Sequence, residues 1–108
     1  MINLVSTDTK AYKSLVGKEF KDAYTKSKQP VLIDVRTAAE FASGSLKNAQ
    51  NIDILSPEFQ QQVSALDKGK DYFLFCRSGN RSGQACSNMA AQGFNVHNLI
   101  GGVGNWPK

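Results

Sequence analysis

The stretch Cys76-Arg77-Ser78-Gly79-Asn80-Arg81-Ser82-Gly83 holds the residues of this 108-residue chain best suited to chemistry. Only a thiolate is a good nucleophile, and a thiol near its unperturbed pKa of about 8.5 is mostly protonated at neutral pH. A polar loop whose backbone N–H groups curl toward the sulfur, closed by a helix N-terminus, stabilises negative charge there. Arg77 and Arg81 add fixed positive charge, and Gly79 permits a tight curl because it has no Cβ. Such a cradle, with Ser78 and Asn80 completing the loop, can hold a thiolate, an anionic substrate and an anionic leaving group.

The flanking elements must put the loop where a ligand can reach it. Tyr72-Phe73-Leu74-Phe75 reads as a buried strand. Gln84 to Ala91 has helical composition and stops at Gly93, a C-cap residue. Cys76 therefore lies at the carboxyl end of a strand, the edge where open α/β sheets bind ligands. Val31 to Val35 is a second, near-continuous apolar run broken only by Asp34, without alternation, as expected for an interior parallel strand. Asp34 and Arg36 fall at its carboxyl end, on the same edge as Cys76 if the strands are parallel. Their expected role is support: Asp34 accepts loop N–H bonds or pairs with an Arg, and so holds the cradle without touching substrate.

Cys-Arg-Ser-Gly-Asn-Arg-Ser resembles the active-site loop of the rhodanese (thiosulfate sulfurtransferase) domains. The resemblance extends over nearly the whole chain. Val31 to Arg36 resembles the family's strand ending in Asp-Val-Arg; Glu40-Phe41, Gly44 and Ala49 to Ile52 resemble the segment after it; Gly101-Gly102 with Trp106 resembles the closing segment. The chain departs from the pattern where the family commonly has His after that first Gly, since Ser45 stands there. Lys47 and Asn48 replace the usual Pro and Gly. The order of elements predicts an α/β domain with a central, mainly parallel sheet and helices on both faces, and the resemblance implies a rhodanese-like version with five strands. The resemblance also implies a catalytic Cys76, a substrate-binding loop of Arg77, Ser78, Gly79, Asn80 and Arg81, and supporting roles for Asp34, Arg36 and Ser82.

Bulk properties narrow the alternatives. A length of 108 residues suits one domain spanning 1–108 with one core, and 41% hydrophobic with 20% charged residues is ordinary for a soluble globule. No apolar run is long enough to span a bilayer, and the start shows no secretory pattern. The formal charge of +4 suits anionic small molecules or acidic partners. Its lysines are scattered, not gathered on a binding face, so neither nucleic acid nor membrane is expected as a partner. Two Cys and one His do not make a metal site, and no cofactor is expected. A Cys76–Cys86 disulfide would have to span a turn and a helix start, and free thiols fit a reducing cytoplasm.

The rest of the chain reads as scaffold. Ile2 to Val5 suits a first strand. Phe20, Ala23 and Tyr24 share one helical face, and Thr37-Ala38-Ala39-Glu40 has the spacing of a capping box. Ser56-Pro57-Glu58 predicts a helix start, running to about Leu66 with Phe59, Val63 and Leu66 on one face. Asn95 to Ile100 predicts a last strand carrying His97 as a surface or edge residue, Gly101-Gly102 a close pass by the Cys loop, and Trp106 a C-terminal anchor on the core.

The function expected is a thiosulfate sulfurtransferase. The Cys76 thiolate takes the outer sulfur of thiosulfate or another small anionic sulfane donor and passes it to cyanide or a thiol, including a thiol protein. Two rivals stand beside it. One is a non-catalytic sulfur carrier or interaction module. The other is a phosphatase or arsenate reductase of the same fold, against which loop size speaks: four residues separate Cys76 from Arg81, one fewer than in phosphate-handling relatives.

Overall fold

The two apolar runs become neighbouring central strands in a computed structural model that describes residues 11–107. In chain order the elements are β1 (Lys13–Leu15), α1 (Gly17–Lys26), β2 (Pro30–Asp34), α2 (Ala38–Ala42), β3 (Gln50–Asn51), α3 (Phe59–Ser64), β4 (Asp71–Phe75), α4 (Asn80–Ala91) and β5 (Asn95–Leu99), followed by a 3₁₀ turn at Val103–Asn105. The five strands are all parallel, in the order β1-β5-β4-β2-β3. The strand expected at Ile2 to Val5 lies outside the described residues. Among the described residues, no helix is long and apolar enough to cross a membrane.

Alternation along the strands sorts the core onto two faces. Ile33, Tyr72, Leu74 and Val96 pack with Phe59 and Val63 of α3 and Ala85, Cys86, Met89 and Ala90 of α4. Leu32, Phe73, Phe75 and Leu99 face the other way, against Phe20 of α1, with Tyr24 and Trp106 alongside. Each buried Val, Leu, Ile, Phe or Met among them gains about 1.5–3 kcal/mol by leaving water. On the second face the rings meet edge to face: Phe20 to Phe73 at 5.6 Å, Tyr24 to Phe73 at 5.5 Å and Tyr24 to Trp106 at 5.9 Å between centroids. Trp106 thus anchors the C-terminal segment, as its position suggested.

Register sets the edge that carries Cys76. Asp34 stands opposite Phe75, and the Val35 N–H donates to the Phe75 carbonyl at 3.0 Å. The ends of β2 and β4 are therefore level, with Cys76 one residue beyond. Cys76 follows the alternation of Tyr72 and Leu74, so its side chain turns toward α4.

Three local expectations are corrected. The helix after Ser56-Pro57-Glu58 begins at Phe59 and ends at Ser64: the Ser56 hydroxyl accepts the Glu58 N–H at 3.1 Å, which closes a turn before the helix starts. Phe59, Val63 and Leu66 still reach the core. Helix α4 starts at Asn80, four residues before Gln84, because Gly79 in a left-handed conformation (φ 96°) ends the loop early. His97 is no edge residue. β5 lies between β1 and β4, and the imidazole stacks on Phe73 with centroids 4.4 Å apart and planes 7° off parallel. Strands β1 and β3 had no signal of their own, having three and two residues.

Candidate active site

Cys76 is 1% exposed, and its sulfur is the focus of several donors. The Gly79 N–H points at Sγ from 3.0 Å; the Ser82 N–H and hydroxyl each lie at 3.4 Å. Burial alone pushes the thiol up. The hydrogen bonds from the Ser82 hydroxyl and N–H and from the Ser78 and Gly79 N–H groups outweigh it and leave Cys76 below the ordinary thiol range. The cause is the local backbone: Gly79 turns the chain back over the sulfur, and the first turn of α4 supplies the next donor.

The donors are themselves braced. The Ser82 hydroxyl also reaches Asn98 Oδ1 at 2.5 Å, and Asn98 Nδ2 donates to the Gly79 carbonyl at 3.3 Å and to the Ser14 hydroxyl at 3.4 Å. Asn98, buried on β5, thus ties both ends of the cradle to the sheet. The Val103 N–H donates to the Cys76 carbonyl at 2.8 Å. Gly102 (φ 86°) passes so close that a Cβ there would land on the Arg77 carbonyl, which is the close approach the Gly-Gly pair foretold.

Arg77, Ser78 and Asn80 are exposed at the mouth, and Arg81 is half-buried. Arg81 is also committed: Nη1 and Nη2 donate to Glu40 Oε1 and Oε2 at 2.8 and 3.0 Å. Glu40 closes the capping box of α2 as well, taking the Thr37 N–H at 3.1 Å. Arg81, and next the Thr37 N–H, hold the Glu40 carboxyl down at about 2, so it is charged at neutral pH.

Asp34 and Arg36 form a separate brace. Arg36 Nη2 meets Asp34 Oδ2 at 2.7 Å and the Gly44 carbonyl at 2.7 Å, while Nε lies 3.0 Å from Oδ1. Ser45, standing where the family commonly has His, donates to Asp34 Oδ2 at 2.8 Å. Asn48, standing where the family has Gly, adopts the left-handed conformation with φ 72°, which Asn tolerates better than most residues. The hydrogen bonds of Asp34 hold the segment after β2, from which Glu40 reaches Arg81, and none goes to the Cys loop.

Sequence reasoning missed two participants. Asn98 had no motif around it. Glu40 was read as a helix cap, and nothing in the chain marks its pairing with a residue 41 positions away. Among the described residues, no cluster of His, Cys, Asp and Glu is suited to a metal ion. Cys86 is free and fully buried in the core, where burial, and then the neighbouring Cys76, push its thiol up.

A parallel α/β sheet covered on both faces, with a low-pKa cysteine cradled by N–H groups between β4 and α4, defines a class of thiolate proteins. The chain belongs to the rhodanese-like family, whose domain model matches residues 17–108. A sulfurtransferase of Allochromatium vinosum is 39% identical over 80 residues, covering 72% of each chain. The crystal structure of a rhodanese-like domain protein from Staphylococcus aureus superposes with a TM-score of 0.76 at 29% identity, over 89% of this chain and 92% of that one. A rhodanese-related protein from Thermoplasma volcanium gives the same TM-score and identity over 88% and 90%. Sulfur transfer is the chemistry of the family at this level.

Proposed function

We propose that Cys76 is the nucleophile of a sulfurtransferase that takes sulfane sulfur from thiosulfate or another sulfane donor and hands it to cyanide or a thiol. The observation that carries this reading is the set of donors converging on Sγ from Gly79 and Ser82. The thiolate attacks the outer sulfur of thiosulfate; the S–S bond to the sulfonate breaks, its electron pair leaves with sulfite, and a Cys76 persulfide anion remains. An acceptor then attacks the outer sulfur and releases the Cys76 thiolate. The N–H groups that hold the thiolate also suit the persulfide anion. Arg77, exposed at the mouth, attracts the anionic donor. Ser78, Gly79, Asn80 and Arg81 shape the rim; Asp34, Arg36 and Ser82 support it.

The acceptor in the cell is a small thiol or a thiol protein, and the compartment a reducing one such as the cytoplasm, where Cys76 and Cys86 stay free. The assay is thiosulfate–cyanide turnover to thiocyanate. Wild type turns over and Cys76→Ser does not. Equal turnover by both would remove Cys76 from the mechanism.

A further inference from the structure

The cradle carries less positive charge than its two arginines imply. Among the described residues there are two ion pairs, Arg36–Asp34 and Arg81–Glu40, and the second takes in an arginine of the cradle. Arg81 presents both terminal nitrogens to Glu40 and so adds no net charge to the mouth. Arg36 is matched in the same way by Asp34. Arg77 is in neither pair.

We propose that Glu40 is a specificity residue: by cancelling Arg81 it fits the Cys76 cradle to sulfane donors of single negative charge, such as thiosulfonates, in preference to dianionic thiosulfate. This rests on the sulfur-transfer reading and names its substrate class. The electrostatic work of bringing a donor to the mouth scales with the donor's charge. One added carboxylate at the rim therefore weighs twice as heavily, on a logarithmic scale, on a dianion as on a monoanion. The chemistry is otherwise the same. The thiolate attacks the terminal sulfur of R–SO₂–S⁻, the S–S bond breaks, and the pair leaves on the sulfinate R–SO₂⁻ in place of sulfite. One negative charge remains on the Cys76 persulfide in either case.

Glu40→Gln isolates the charge. Gln at the third helical position still accepts the Thr37 N–H, so the capping box survives. The readout is kcat/KM for thiosulfate divided by kcat/KM for benzenethiosulfonate. Both donors meet the same sulfur, so any change in Cys76 reactivity cancels in the ratio. For a unit charge at a partly exposed rim, about threefold per donor charge is expected. In Glu40→Gln the ratio rises about threefold in favour of thiosulfate. In Arg81→Gln it falls by about the same factor. In the double variant Glu40→Gln/Arg81→Gln, where the pair is gone but the net charge is that of wild type, it returns to the wild-type value. A ratio that stays unchanged in both single variants overturns the inference while leaving sulfur transfer intact. Absence of a persulfide from either donor in wild-type protein, read by intact mass, overturns the sulfur-transfer reading and this inference with it.

Discussion

Cys76 and Cys86 are the same residue type ten positions apart, and their surroundings send them in opposite directions. Both are buried, and burial disfavours a thiolate. Cys76 gains hydrogen-bond donors that reverse the effect; Cys86, among Ala85, Met89 and Ala90, gains none and stays a core side chain. Alkylation by iodoacetamide reads the difference. Its pH midpoint at Cys76 is expected below that of free cysteine, since the thiolate is the reacting form. Ser82→Ala removes a hydroxyl whose single proton is shared between Asn98 Oδ1 at 2.5 Å and the sulfur at 3.4 Å, and a bond to a charged group contributes about 1.5–3 kcal/mol at good geometry. At 3.4 Å the loss is smaller, so alkylation at neutral pH should slow about fivefold, with the fold unchanged by circular dichroism. An unaltered rate would show that the backbone donors suffice. At this scale the cradle around Cys76 was legible, because Cys, Gly and Arg occur in an order that has few other uses. Asn98 was not, since an Asn in a strand has no local signature; what matters is that β5 sets it against Gly79 and Ser82.

Two segments packed beside the Cys76 loop help fix the shape of the site. The first is the Gly101-Gly102 turn, which lies against the loop backbone. Gly102→Ala should displace the Arg77 peptide and thereby the Gly79 N–H, both because the Cβ would overlap that carbonyl and because φ 86° strains an L side chain. The expected outcome is a loss of stability of about 1–3 kcal/mol and at least a tenfold fall in kcat/KM. Full activity would mean the turn can move without the cradle.

The second segment is α2 with its cap, where Glu40 couples the helix start to Arg81. The Glu40 carboxyl lies below its ordinary value of 4.5, at about 2. A depressed carboxyl stabilises the fold above its unfolded pKa, and that contribution disappears as pH falls through the folded one. The stability deficit of Glu40→Gln should therefore be present at neutral pH, shrink between about pH 4.5 and 2, and vanish below. Denaturant titrations across that range check it; a deficit independent of pH would place the loss in packing, not charge. The capping box itself was legible from Thr37 and Glu40. The start of α3 was misplaced because Ser56-Pro57-Glu58 satisfies a turn as readily as a helix N-terminus, and local preference cannot choose between them.

On the scale of the whole molecule, the sheet order brings together what the sequence keeps apart. Parallel β2, β4 and β5 end on one edge, so residues from four segments meet: Arg36 and Glu40, Cys76 to Ser82, Asn98, and Gly102 with Val103. The parallel α/β class was legible because Val31–Ile33 and Tyr72–Phe75 are apolar without alternation, as expected of strands covered on both faces. The edge strands β1 and β3 were not, since two or three residues carry no period and are ordered by their neighbours' hydrogen bonds. Asn51 illustrates the point: its side chain donates to the Asp34 and Arg36 carbonyls at 3.0 and 2.9 Å, extending the ladder where the backbone strand is short.

The central claim is that this edge holds sulfur on Cys76, and intact-mass measurement tests it most directly. Wild-type protein mixed with thiosulfate or benzenethiosulfonate, without acceptor, should gain the mass of one sulfur atom per chain; cyanide should remove it. Cys76→Ser should never gain it, and peptide mapping should find Cys86 unmodified. A protein that takes up no sulfur from either donor, or takes it up equally well as Cys76→Ser, would contradict the account.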